Sequence, residues 1–175
     1  MFSEIAANTG RFLVLVFLQG VILTDVNLWQ GMAIPYLYVL FLLMLPISLP
    51  KWAELIIGLV CGLAIDMFTN TLGIHASACV LLAFVRPQLL KAIAPRDGYE
   101  FGQRPTISDL GTSWYFKYAF VLIFIHHLWL FYIEVYSFSG FFTTLLRAIL
   151  STIFTFLLVM LSQYLFFPRK TTTYV

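Results

Sequence analysis

The chain has 175 residues, of which 61% are hydrophobic and only 10% charged, and its mean hydropathy is +0.93. A water-soluble domain of this size has to place far more charge on its surface, so the composition excludes a soluble globule and points to an all-α integral membrane protein. The net charge of +2 carries little by itself, whereas the placement of the charges carries more.

Six apolar blocks, at 10–24, 33–49, 54–69, 72–91, 115–136 and 145–167, read as six transmembrane helices of one domain, residues 1–175. Arg11 ahead of the first block imitates a signal peptide, but Thr24-Asp25-Val26-Asn27 offers no small-residue cleavage site, so the segment is expected to remain as a helix. Asp25, Asn27 and Gly31 then form a polar turn. The second block carries Tyr36 and Tyr38 and stops at Pro46 and Pro50, which cannot continue a helix unaided. Lys51, Trp52 and Glu54 mark a membrane interface.

The third block is the most informative. Gly58, Gly62 and Asp66 are spaced i, i+4, i+8 and so share one helix face, flat enough at its glycines for another helix to approach. A carboxylate among apolar neighbours is costly unless paired, wetted or used. Only Thr69-Asn70-Thr71 separates this block from the fourth, which predicts a tight helical hairpin. From Glu54 to Asp66 is 12 residues, about 18 Å of helix, against a hydrocarbon core about 30 Å thick. The hairpin is therefore expected either to turn inside the membrane, flooring an outward depression with Asp66 to His75, or to sit in a locally thinned bilayer.

The fourth block kinks or ends at Arg86-Pro87, and a hydrophilic loop follows from Ala92 to Trp114, with Thr112 or Ser113 as cap of the next helix. His126 and His127 are adjacent, point about 100° apart on a helix and cannot serve one metal together. Arg147 opens the last block, with Ser151, Thr155 and Ser162 along its face, and is expected to pair with Glu134 or Asp66. Pro168-Arg169-Lys170 ends it. Cys61 and Cys79 read as small packing residues. No metal, cofactor or nucleic-acid partner is expected.

Six spans put Arg11, Lys51, Arg86, Lys91, Arg96, Arg104, Lys117, Arg169 and Lys170 on one side and Arg147 alone on the other. That nine-to-one split places both termini in the cytoplasm.

Gly58-x-x-x-Gly62-x-x-x-Asp66 followed by Leu72-Gly73, after a proline-bounded turn (Pro46 to Lys51) and with Gln19 in an apolar first helix, resembles the rod shape-determining protein MreD family. The resemblance implies a fold similar to the substrate-binding subunits of ECF vitamin transporters, six helices around an outward-facing cavity. It implies a non-enzymatic scaffold of the bacterial cell-elongation machinery in the cytoplasmic (inner) membrane, surrounded by membrane lipid. Such a scaffold binds MreC and works alongside MreB and RodA-type proteins in peptidoglycan synthesis. Gly58, Gly62, Asp66, Gly73, His75, Glu134 and Arg147 are the residues expected to line the cavity or meet the partner. A substrate-capturing subunit of a vitamin-type transporter is the other expectation. An intramembrane enzyme stands behind both, because no nucleophile-and-base pair or metal constellation can be assembled.

Overall fold

Apolar side chains in a membrane leave the backbone no hydrogen-bonding partner but itself, and helix is the local answer. The computed structural model describes residues 2–26, 28–136 and 140–167, with side chains from Ala6 onward. Its elements are α1 (Phe2–Phe17), which widens into a π-helical turn at Leu18–Leu23, α2 (Val39–Leu43), α3 (Lys51–Thr69), α4 (Ile74–Ala92), α5 (Ile107–Leu110), α6 (Thr112–Val135) and α7 (Phe141–Phe166). Among the described residues, four stretches are long and apolar enough to cross a membrane: Ala6–Leu23, Lys51–Thr69, Thr112–Val135 and Phe141–Phe166. The end of the last block at Pro168-Arg169-Lys170, and Asn27 in the first polar turn, lie outside the described residues.

The long helices expose apolar faces, and α7 also turns a polar stripe inward. On α7, Leu146, Ile149, Ile153, Leu157 and Leu161 follow one another at helical spacing on the exposed face, while Thr144, Ser151, Thr152, Thr155 and Gln163 are buried. That inverts the pattern of a soluble helix and suits a surround of lipid. α3 and α4 form an antiparallel hairpin, α6 packs on both α4 and α7, and α1 leans on α3.

Several sequence expectations change. The block at 33–49 is not one helix: only Val39–Leu43 is helical, and the chain on either side of it is non-helical. The segment nevertheless lies at the centre of the bundle, with Tyr38, Val39, Leu42 and Leu43 all fully buried. α4 does not end at Pro87 but continues through it to Ala92. Neither Thr112 nor Ser113 caps α6: Gly111 precedes it, and the side-chain cap in this region is Thr106, which accepts from the Asp109 amide ahead of α5. Arg86 is buried inside the bundle and so leaves the tally of loop charges; nine less one still leaves eight cations against Arg147.

Candidate functional site: a broken central segment and two polar clusters

A backbone that leaves the helix inside a membrane bundle must find its hydrogen bonds elsewhere. Residues 34–45 find them on side chains of four helices. At the first end, the Ile34 and Tyr36 amides donate to Ser151 Oγ and Thr155 Oγ1 of α7, each at 3.0 Å. Between them, Gln19 Nε2 donates to the Pro35 carbonyl at 3.1 Å. Gln19 reaches inward from the π-helical turn, where Thr24 Oγ1 donates to the Gln19 and Gly20 carbonyls. At the other end, Tyr118 Oη donates to the Leu43 carbonyl (2.8 Å) and Arg86 Nη2 to that of Leu45 (2.5 Å).

Arg86 anchors the lower cluster. Its Nη1 donates to Glu54 Oε1 at 2.6 Å and its Nε to Tyr118 Oη at 2.6 Å, and both ion-pair partners are 1% exposed. The guanidinium therefore joins α3, α4, α6 and the broken segment at one point. The sequence alone puts Glu54 at the membrane interface and Arg86 where the fourth block kinks or ends, not in a buried pair. The signal for the pair was present in the hairpin register: going back twelve residues from Asp66 and forward eleven from His75 arrives at Glu54 and Arg86.

Asp66 and His75 form the upper cluster. Asp66 accepts from the amides of His75 and Ala76 (3.0 Å each), from Thr71 Oγ1 (2.5 Å) and, at 3.1 Å, from His75 Nδ1. The two amides are the second and third of α4, so a carboxylate on α3 performs the N-cap that Gly73 cannot supply. Asn70 and Gly73 adopt left-handed backbone (φ +59° and +81°) and reverse the chain in four residues. Asp66 and His75 do not lie open at the floor of a depression. Asp66 and His75 are 5% and 4% exposed, and the Tyr36 ring packs on the His75 ring at 5.5 Å.

Gly58 and Gly62 serve this hairpin. A Cβ on Gly62 would sit 2.3 Å from the Ala76 Cα, and one on Gly58 2.9 Å from the Cys79 carbonyl oxygen. Their face is covered by α4 of the same chain.

The adjacent histidines of α6 divide between two neighbours, as their angular separation requires. His126 Nε2 lies 3.0 Å from Tyr38 Oη. His127 Nδ1 donates to the Ile123 carbonyl (2.8 Å), which leaves Nε2 to accept from Thr155 Oγ1 (3.0 Å). Thr155 thus links the Tyr36 amide to His127. All three histidines and both tyrosines of the broken segment meet here, although they share no sequence motif. Among the described residues no group of histidine, cysteine or carboxylate side chains is arranged to hold a metal.

Of the two expected partners for Arg147, the structure selects Glu134 (Nη1 to Oε2 3.2 Å), because Asp66 is occupied by α4. Arg147 Nε also donates to the Gly31 carbonyl at 3.1 Å, and its guanidinium lies 4.4 Å from the Phe131 ring centre. It ties the turn at 28–33 to the ends of α6 and α7, and at 23% and 38% exposure the pair sits at the rim. Ser162 donates to the Leu158 carbonyl of its own helix.

Compared with protein-family models, with curated proteins and with solved structures, the chain matches none.

Proposed function

We propose that this protein is a non-catalytic scaffold of the bacterial cytoplasmic membrane, acting in cell elongation as proteins of the MreD family do, with MreC as its partner beside MreB and RodA-type proteins. On this reading the chain passes six times through the membrane with both termini in the cytoplasm. The broken segment 34–45 is the second pass, crossing between the level of His75 and that of Arg86. The bias of cations supports the orientation.

One observation carries the reading. The stretch that bears the resemblance is built as a close-packed hairpin whose carboxylate is committed to backbone amides of its own second helix. Asp66 caps α4, the glycines seat α4 on α3, and the tip presents Leu72, which is fully exposed, beside Met67 at 85%. Polar chemistry spent on holding helices together, with an apolar tip facing outward, suits a protein that positions another better than one that captures a solute. The second reading, a transport subunit, draws on the interrupted helix at the bundle centre, a device of solute pathways.

Purification from native membranes of a rod-shaped bacterium separates the two. Co-purifying MreC, with cells rounding on depletion, is the expected result. A bound vitamin-sized molecule or an attached ATPase module would overturn the scaffold in favour of transport.

A further inference from the structure

The Gly20 and Phe68 contact draws α1 against α3 at the hairpin end, where a Cβ on Gly20 would lie 2.4 Å from the Phe68 ring. Towards the other end the two helices part. A cavity of about 420 Å³ opens between them, lined by Phe12 and Phe41, by Leu45 and Leu49 of the central segment, and by Ile57 and Val60 of α3. Its wall is almost wholly apolar, and its size is that of an ordinary ligand pocket. A second cavity of about 320 Å³ adjoins it, with Asn8 and Pro46 common to both linings. This one is more polar than the first, and Arg11 and Arg104 both line it.

Among the described residues neither arginine has an acidic ion-pair partner. Ion pairs among the described residues join Asp66 to His75, Glu54 to Arg86 and Glu134 to Arg147, and neither Arg11 nor Arg104 takes part. Arg11 donates to Asn8 Oδ1, at 2.8 Å. Asp109 accepts from the Arg104 backbone amide but lies outside ion-pair reach of its guanidinium. Two cations facing one pocket repel unless an anion lies between them, and the guanidinium fork fits phosphate oxygens in pairs. A phosphate alone would leave the adjoining apolar cavity unused. An acyl chain alone would leave the arginines uncompensated.

We infer that the two cavities are one site for an anionic phospholipid, its phosphate between Arg11 and Arg104 and one acyl chain lying between α1 and α3. The polar part sits beside Pro46, next to the Leu45 carbonyl that Arg86 holds and a few residues from Lys51 and the exposed Trp52, a level at which basic and aromatic residues meet lipid headgroups. This inference does not rest on the scaffold reading.

Native mass spectrometry of the full chain, delipidated in detergent, tests it. The probes are phosphatidylglycerol, phosphatidylcholine with the same acyl chains, and glycerol phosphate. Phosphatidylglycerol is expected to be retained in preference to phosphatidylcholine. Each arginine near the headgroup is expected to contribute about fivefold in affinity, so Arg11→Gln with Arg104→Gln lowers retention about twenty-five-fold. Arg104→Gln alone, in an exposed loop, gives the fivefold step in a chain whose bundle is untouched. Val60→Trp, which fills the apolar cavity from a half-exposed position, is expected to abolish the preference while both arginines remain. Equal retention of the two lipids would overturn the site as mere annular lipid. Displacement of phosphatidylglycerol by glycerol phosphate at equal concentration would overturn the lipid assignment in favour of a free phosphate ligand.

Discussion

Replacing Arg86 by methionine keeps most of the side-chain volume and removes three hydrogen bonds at once: to Glu54 Oε1, Tyr118 Oη and the Leu45 carbonyl. Breaking one side of a buried ion pair costs about 3–5 kcal/mol because the other charge stays behind. The substitution is therefore expected to lower stability by about 4 kcal/mol, a large share of what a domain of this size possesses. Glu54→Leu with Arg86→Met removes both charges. Tyr118 still donates to Leu43, and the Leu45 carbonyl is the one strong group left orphaned, at about 1–3 kcal/mol. The double variant is thus expected to be about 2 kcal/mol more stable than Arg86→Met alone. Reversible unfolding in mixed micelles, followed against the fraction of denaturing detergent, reads the difference. A loss below about 1 kcal/mol for the single variant, or a double variant no better than the sum of its parts, would refute the view that Arg86 and Glu54 are coupled in the core.

Gly62→Ala is expected to destabilise more than Gly58→Ala, by about 1–3 kcal/mol for the first, since its new methyl meets α4 backbone at 2.3 Å rather than a carbonyl at 2.9 Å; the reverse order of thermal midpoints would count against the hairpin packing. Asp66→Ala strips two α4 amides of their acceptor and is expected to cost about 2 kcal/mol, whereas Asp66→Asn, which keeps one carbonyl oxygen, loses about half as much. Equal losses would mean that the charge rather than the cap is what matters. Arg147→Ala, at a partly exposed pair, is expected to cost no more than about 1 kcal/mol, and a loss twice that size would show that its bond to the Gly31 carbonyl carries the turn at 28–33.

The hairpin was legible because its causes are local. Two glycines four apart, a carboxylate one turn further and Asn70 and Gly73 at the reversal lie within 16 residues. The Glu134 and Arg147 pairing was legible for the same reason, with Asp66 removed from contention only once its amide partners were known. The broken segment was not. Hydropathy over 33–49 is that of a span, and what makes its non-helical backbone tolerable is supplied by Ser151 and Thr155, 117 and 119 residues away. Its traces in the sequence were indirect: Pro35 within the block, Pro46 and Pro50 closing it, and a polar stripe on α7 whose partner was unassigned. The meeting of His75, His126 and His127 around Tyr36 and Tyr38 had no trace at all, because it follows from where the broken segment lies.

Lipid tails are as apolar as leucine, so burying leucine does little to hold helices together in a membrane, and close packing and polar contacts must do it. In this chain those contacts converge on one segment. Residues 34–45 bond side chains of α1, α4, α6 and α7, so the segment is fixed only when all four helices are in place around it. Loss of a clamp therefore acts at the centre and is transmitted to whatever the segment lines. Leu45, held by Arg86, and Pro46 beside it form one wall of the cavity between α1 and α3. Arg86→Met should accordingly weaken retention of phosphatidylglycerol although Arg86 touches neither cavity, and Arg147→Ala, which acts at the opposite end, should not. If both variants retain the lipid as the unaltered protein does, the central segment and the cleft are independent. If only the first loses it, the clamp that closes the core also shapes the surface offered to lipid.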